Sequence, residues 1–319
     1  SVLFFPFYLL GHMSALILNG LGADVSLDGY SYPYYFSTAL ASQTYLFIGL
    51  LVVFQINRRF FDPWVSLVST FLVWAGTFLI YYTFIRQRMA HTVEFFLGAV
   101  FLLGWLQARK SEDYLKHAAL GAALGMLCMV RVINGGFFIL YALDQILIFR
   151  NRLRLSNGGL MVPLLKRTSL FLGFWIITLS PQLVSWHAID GIPLPGFHVK
   201  LAESEASVIS LRETTENIWS FFLGKKWGLI FSCPLMLAGI LGLSLKGRGL
   251  DQFRLSFLMT IVVFIAFIMF LFRYLDAYEF RYLSPVLPII SLGLSQLLDK
   301  SRGYRGLYSI AIAMGGLCL

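Results

Sequence analysis

The sequence has few charged residues, and its apolar runs do not alternate with polar positions. Asp, Glu, Lys and Arg make up 13% of the chain, whereas 58% is hydrophobic and the mean hydropathy is +0.76. This composition is too apolar for an ordinary soluble domain. Continuous rather than alternating apolar runs argue against a transmembrane β-barrel. We therefore expect an all-α, polytopic integral membrane protein.

Cysteine clusters and the common catalytic motifs are also missing. Cys128, Cys233 and Cys318 are far apart in the sequence, so neither a disulfide framework nor a metal cluster is indicated. The chain has no Walker A loop, HExxH, GxSxG or CxxC motif. We predict no metal site from these patterns, although Mg²⁺ or Mn²⁺ held by acidic residues stays open as a cofactor.

What the chain has instead is a series of apolar segments. A transmembrane helix needs about 20 such residues. We predict one transmembrane domain over 1–319, a bundle of about 10–11 membrane helices. The spans are placed at 36–57, 64–85, 91–107, 118–133, 137–149, 169–188, 229–245, 255–275, 283–298 and 307–319.

The remaining segments are assigned by their polarity and their flanks. We expect 1–35 to be an extracytoplasmic or interfacial segment, and within it we favour an interfacial hairpin over a span for Ser1 to Leu21. We expect 189–228 to be an extracytoplasmic loop and 299–319 to begin a further span. Because the chain starts without Met and ends inside an apolar run, we expect it to be part of a longer protein.

The basic residues predict the orientation of the bundle. If the spans alternate in direction, roughly 16 of the 25 Lys and Arg residues fall on one side. That side should be cytoplasmic, since short cytoplasmic loops are rich in Lys and Arg. The net charge of +9 is therefore a feature of a multi-pass protein in a bilayer, such as a bacterial inner membrane, and does not indicate a nucleic-acid partner.

Polar residues collect at the opposite, extracytoplasmic ends of the spans. His91 and Glu94 are three residues apart and share a helix face. A carboxylate at the start of a span needs a partner, so Glu94 is a functional candidate or half of a structural pair. Arg131 needs an anion, either a substrate phosphate or water reached by snorkelling. The same choice applies to Arg281, which precedes Tyr282.

Three features allow other interpretations. Gly121 and Gly125 form a GxxxG step, which we interpret as a site of close helix packing. Asn134-Gly135-Gly136 breaks a helix, and such a break is tolerated where protein or a watery cavity surrounds it. Asp144 in the next segment is either a structural, hydrogen-bonded carboxylate or part of a proton or ion path.

Several stretches together resemble the GT-C superfamily of glycosyltransferases, which holds protein O-mannosyltransferases and lipid A aminoarabinose transferases. The main stretch runs from Tyr81-Tyr82 to Arg86 and continues with Met89-Ala90-His91 and Glu94-Phe95-Phe96. Two further stretches are Pro6-Phe7 with Asp28-Gly29-Tyr30-Ser31, and Gly121 to Asn134 with Arg131. The last two are Lys226-Trp227-Gly228-Leu229 with Ser232 and Pro234, and Phe280-Arg281-Tyr282 with Pro285 and Pro288. It implies transfer of a sugar from a polyprenyl-phosphate donor to a protein, lipid or glycan acceptor on the extracytoplasmic face.

The resemblance also implies roles for particular residues. Asp28, His91 and Glu94 are candidate catalytic residues. The group usually carries its main acid in the first extracytoplasmic loop, and we expect this chain to begin within or beyond that loop, which would place the main acid upstream of Ser1. Donor-phosphate ligands would be Arg86, Arg88, Arg131 and Arg281, and Asn134 and Tyr282 would line the substrate. Cations would stabilise the leaving phosphate while a carboxylate accepts the acceptor's proton. The alternatives are a transporter or flippase of a lipid-linked or anionic substrate, and a non-catalytic subunit that packs against partner subunits.

Overall fold

The chain folds as a bundle of helices in a computed structural model. The structure describes residues 2–109, 111–154, 161–191, 211–224, 228–247, 249–271 and 279–302. No strand occurs among these residues. The predicted span 307–319 and most of the predicted loop 189–228 lie outside the described residues.

The described helices follow one another with short connections. They are α1 (Phe5–Gly20), α2 (Tyr32–Asn57), α3 (Pro63–Ala75), α4 (Leu79–Phe84), α5 (His91–Ala108), α6 (Tyr114–Val130), α7 (Phe138–Arg154), α8 (Met161–Asp190), α9 (Leu211–Leu223), α10 (Leu229–Ser232), α11 (Pro234–Ser244), α12 (Asp251–Leu271) and α13 (Leu287–Ser301). Short 3-10 segments, Val132–Phe137 and Glu279–Val286, precede α7 and α13.

Seven helical segments of the described chain are long and apolar enough to cross a membrane. They are Val2–Gly20, Tyr32–Asn57, His91–Ala108, Val132–Arg150, Val162–Ile189, Asp251–Met269 and Arg281–Ser301. Three shorter apolar helices, Pro63–Ala75, Tyr114–Val130 and Pro234–Ser244, accompany them. The chain is therefore a helical protein of the multi-pass membrane type, as its composition predicts.

Several predicted boundaries need correction. The predicted span 64–85 is divided into α3, which ends at Ala75 with Gly76 as its C-cap, and α4, which begins at Leu79. The predicted span 229–245 is broken at Cys233, since the residue before a proline disfavours helical backbone. The segment after the Asn134 break is longer than predicted, because α7 continues to Arg154.

The first segment forms one continuous helix. α1 therefore does not fold as a hairpin, and its 3-10 start and helical part together reach the length of a span. It packs antiparallel against α2: the Tyr45 hydroxyl donates to the Leu3 carbonyl oxygen over 2.8 Å, and Tyr8 lies against Tyr34. Whether α1 crosses the bilayer or lies in its interface stays a prediction.

Polar contacts join the helices at the end of the bundle where α2 ends and α3 begins. We call it the opposite end, because it lies across the bundle from the start of α5. The buried Asn57 amide donates to Ser291 Oγ over 2.7 Å and to Ser69 Oγ over 3.2 Å, linking α2, α13 and α3. At the start of α3, Asp62 accepts from the Arg302 guanidinium over 2.9 Å. Partial burial opposes ionisation of Asp62, but backbone N–H groups and Arg302 outweigh it and lower the pKa of this carboxyl.

Candidate functional site

The other end of the bundle, which we call the site end, carries a buried carboxylate. Glu94 lies in the first turn of α5 and is 1% exposed. His91, one turn earlier and equally buried, places Nδ1 3.2 Å from Glu94 Oε2. The same-face contact predicted from the spacing of these two residues is confirmed.

Arg131 is the cation that compensates this carboxylate. α6 ends at Val130, and Arg131 takes an extended backbone conformation that sends its side chain across to α5. Arg131 Nε lies 3.1 Å from Glu94 Oε1, and the guanidinium carbon lies 4.3 Å from the centre of the Tyr282 ring. The need of Arg131 for an anion is therefore met within the protein, and its position is fixed by an ion pair and an aromatic ring.

Asn134 completes the ring of donors around Glu94. It lies on the 3-10 segment 132–137, where the predicted helix break is confirmed. Its amide donates to Glu94 Oε1 over 3.3 Å and to the Leu127 carbonyl over 3.0 Å. We call His91, Glu94, Arg131 and Asn134 the carboxylate cluster. All four were predicted site residues, and the fold brings them together from three segments.

The hydrogen bonds fix the proton on His91. Arg131 Nη2, which can only donate, lies 3.4 Å from His91 Nε2, so Nε2 accepts. Nδ1 must then carry the hydrogen, which it directs to Ser284 Oγ, 3.1 Å away, while Glu94 Oε2 lies 3.2 Å from the same nitrogen. Ser284 in turn donates to the Arg281 carbonyl oxygen. His91 is therefore a neutral connector between the cluster and the 3-10 segment 279–286.

A close backbone approach places this 3-10 segment. Gly98, one turn after Glu94, faces the Pro285 carbonyl oxygen so closely that a Cβ would collide with it. Ser284 and Tyr282 can therefore reach α5. Arg281 is placed at the same end, where it interacts with Tyr82 and lies 5.3 Å from the Tyr282 ring centre. The predicted residues Arg281 and Tyr282 thus border the carboxylate cluster.

Three polar atoms of the cluster have no hydrogen-bond partner among the described residues. They are Arg131 Nη1, Asn134 Oδ1 and Glu94 Oε2, the last of which lies 3.2 Å from His91 Nδ1. Buried polar groups are normally satisfied by protein, water or a ligand. The Arg131 side chain is 25% exposed, so the cluster can be approached from the site end.

Arg86 and Arg88 lie apart from the cluster. α5 starts only at His91, so Arg88 is not on the helical face of Glu94. Its guanidinium instead lies 3.7 Å above the Tyr35 ring at the start of α2. Both arginines line an open groove of about 560 Å³.

The remaining predicted residues have other surroundings. Asp28 is exposed in the loop before α2, where Oδ1 accepts from the Tyr30 N–H over 2.8 Å, and no described contact joins it to the carboxylate cluster. Asp144 forms a two-pronged pair with Arg109, with both N···O distances at 3.2 Å. The structural interpretation of Asp144 is therefore the one that the geometry supports.

Two residues of the site end were missed from the sequence. Tyr82 lies against His91 with ring centres 4.3 Å apart, and Ser284 bonds its Nδ1. Neither could be assigned in advance, because Tyr and Ser are common near membrane interfaces and only the fold brings 82 and 284 to 91. Among the described residues, no group of three His, Cys, Asp or Glu side chains is arranged to hold a metal ion.

Comparisons with known proteins identify no relative of this chain. No family model, no curated protein and no solved structure matches this chain.

Proposed function

We propose that this protein is a membrane glycosyltransferase of GT-C type that moves a sugar from a polyprenyl-phosphate donor to an acceptor. In this proposal the bundle has ten to eleven membrane helices and the site end is extracytoplasmic. The observation that carries the proposal is the fixed position of Arg131, with Arg281 beside it. Arg131 is held between Glu94 and the Tyr282 ring, and its side chain is 25% exposed at the site end.

The chemistry suits such an arrangement. When the bond between sugar and phosphate breaks, negative charge grows on the phosphate oxygens. A cation that is already in place stabilises that charge without reorganising during the reaction. Glu94 and Tyr282 hold the Arg131 guanidinium, and its Nη1 atom has no partner among the described residues. Arg131 is therefore the residue that we assign to the leaving phosphate.

The geometry favours a positioning role for Glu94 over proton transfer. Its oxygens already face Arg131, Asn134 and His91, so the carboxylate is engaged by residues of the protein itself. Asp28 is exposed and uses only one oxygen in a local turn. We therefore assign the acceptor's proton to Asp28.

The transporter alternative loses one of its three motivations. It is based on Asp144, on the Asn134-Gly135-Gly136 break and on the same arginines as the proposed transferase. The bidentate pair with Arg109 supplies a partner for Asp144, and Arg109 also lies 4.3 Å from the Phe253 ring centre. This environment is that of a structural ion pair between α5 and α7.

The test is turnover of the lipid donor. Membranes from cells carrying the full chain would be given radiolabelled polyprenyl-phosphate sugars, and release of polyprenyl phosphate would be measured. We expect Arg131→Ala to lower release about 100-fold, as for loss of one preorganised charge-stabilising donor, with Arg131→Lys in between. The matched control is Arg254→Ala, whose partner Asp251 is 3.9 Å away at the opposite end. Equal release by R131A and the unchanged protein would reject the assignment.

A further inference from the structure

A second feature of the site end is the groove between the start of α2 and the turn that precedes α5. Its wall on α2 is formed by Tyr32, Tyr35, Phe36 and Ala39, and its other wall by residues 85–89. The groove is open to the outside and encloses about 560 Å³. The carboxylate cluster does not line it.

The two walls combine cations with apolar surface. Arg86 and Arg88 are exposed, and neither forms an ion pair with a carboxylate among the described residues. Arg88 is held in place by the Tyr35 ring. Phe36 and Ile85 expose 58% and 68% of their surfaces beside these charges. A cationic rim next to exposed apolar side chains is complementary to an anion that carries a hydrocarbon chain.

The position of the groove in the fold favours a lipid phosphate over a water-soluble phosphate as its ligand. Tyr32 and Tyr35 open α2, a 26-residue helix long enough to cross a bilayer, and aromatic residues at such a position sit at headgroup level. A water-soluble phosphate would use the arginines and leave the apolar wall exposed. A lipid phosphate would cover both, with its chain running toward the hydrocarbon along Phe36 and Ile85.

We propose that this groove is a docking site for the phosphate and first chain carbons of a membrane lipid, distinct from the carboxylate cluster. The inference rests on the proposed function only for the choice of polyprenyl phosphate as that lipid. The turn 85–90 leads directly into His91, so a lipid docked there is one connection away from the cluster. The groove then holds the carrier lipid before or after transfer, whereas Arg131 acts during it.

Binding without sugar or acceptor tests this inference separately from transfer. The purified full chain would be placed in phosphatidylcholine nanodiscs, and retention of radiolabelled polyprenyl monophosphate would be measured. We expect the double variant Arg86→Ala/Arg88→Ala to weaken binding at least about tenfold, as expected for loss of charged hydrogen bonds. The matched control, Arg58→Ala/Arg59→Ala, removes two exposed arginines from the other end of α2 and should bind as the unchanged protein does.

Three further probes decide between sources of the ligand. Phe36→Ala should weaken binding of polyprenyl phosphate and leave any binding of inorganic phosphate unchanged. Polyprenyl phosphate that resists competition by phosphatidylglycerol supports a carrier-lipid site. Equal competition supports a lipid-phosphate site occupied by bulk phospholipid. Equal retention by the two double variants, or equal binding of polyprenol without phosphate, would overturn the inference even if donor turnover is observed.

Discussion

At the scale of residues, the site end depends on one buried ion pair. Glu94 and Arg131 meet over 3.1 Å, with the carboxylate 1% and the guanidinium side chain 25% exposed. Burying either charge alone would be costly, so each stabilises the placement of the other. The pair therefore has a structural role whatever chemistry Arg131 performs.

Removing one charge of this pair should be more damaging than removing both. We expect Glu94→Gln to lower the free energy of unfolding by about 3 to 5 kcal/mol, because the three-quarters-buried Arg131 is left without its counter-ion. The double variant Glu94→Gln/Arg131→Gln should recover most of that loss. Unfolding in mixed detergent micelles measures both.

A surface pair provides the control for this comparison. Asp251 and Arg254 lie 3.9 Å apart with side chains 53% and 33% exposed, so Asp251→Asn should cost less than about 1 kcal/mol. A double variant at 94 and 131 that is as unstable as Glu94→Gln would contradict the ion-pair explanation.

The sequence predicted the members of the cluster better than their contacts. The three-residue spacing of His91 and Glu94 is a local property of a helix, and it was sufficient to predict their pairing. That Arg131 would pair with Glu94 depends on how α5 and α6 pack, which no local pattern specifies. Likewise, Asn57 and Ser291 form a buried hydrogen bond across 234 positions, and small polar residues in apolar spans give no signal of their partners.

At the scale of elements, close contact between helices depends on glycines, which have no side chain to hold the backbones apart. The GxxxG step of α6 packs against α8, where Gly121 faces the Phe171 carbonyl oxygen and Gly125 faces Trp175 and Thr178. The packing interpretation of this motif is confirmed. The sequence could predict that a helix would approach α6 here, but the identity of α8 follows from the three-dimensional arrangement.

A single methyl group should test this packing. Gly121→Ala places a Cβ into the Phe171 carbonyl oxygen, so α6 and α8 must separate. We expect a loss of about 1 to 3 kcal/mol in the free energy of unfolding, typical of overpacking. Gly173→Ala on α8 is the control, since a Cβ there meets nothing within 4 Å, and it should change stability by about 0.5 kcal/mol or less. Similar losses for both variants would show that the effect is not contact between these helices.

At the scale of the whole molecule, polar contacts are divided between the two ends of the bundle. The site end holds the carboxylate cluster and the arginine-lined groove. The opposite end holds the pairs of Arg109 with Asp144, Arg167 with Glu112 and Arg302 with Asp62. Composition predicted a helical membrane protein correctly, because helices that cross a bilayer must be apolar over most of their length, and this raises the hydrophobic fraction of the whole chain. The orientation of the bundle rests on loop charges, and it stays a prediction.

Orientation can be measured with two cysteines that flank α2. This helix has 26 residues and rises roughly 39 Å, more than the hydrocarbon thickness of a bilayer. Tyr30, 76% exposed, precedes it at the site end, and Arg59 follows it at the opposite end. In a background with Cys128, Cys233 and Cys318 changed to Ser, we expect a membrane-impermeant maleimide to label Tyr30→Cys on intact cells. Arg59→Cys should react only after permeabilisation.

The result bears on the chemistry as well as the topology. A polyprenyl-phosphate sugar presented outside the cell can reach the carboxylate cluster only if the site end is extracytoplasmic. The reverse labelling pattern would place Arg131 and the groove in the cytoplasm and would contradict both the loop-charge prediction and an extracytoplasmic transferase. Labelling of both cysteines on intact cells would show that α2 does not separate two compartments. The labelling pattern predicted for Tyr30 and Arg59 is therefore a condition that the proposed function must meet.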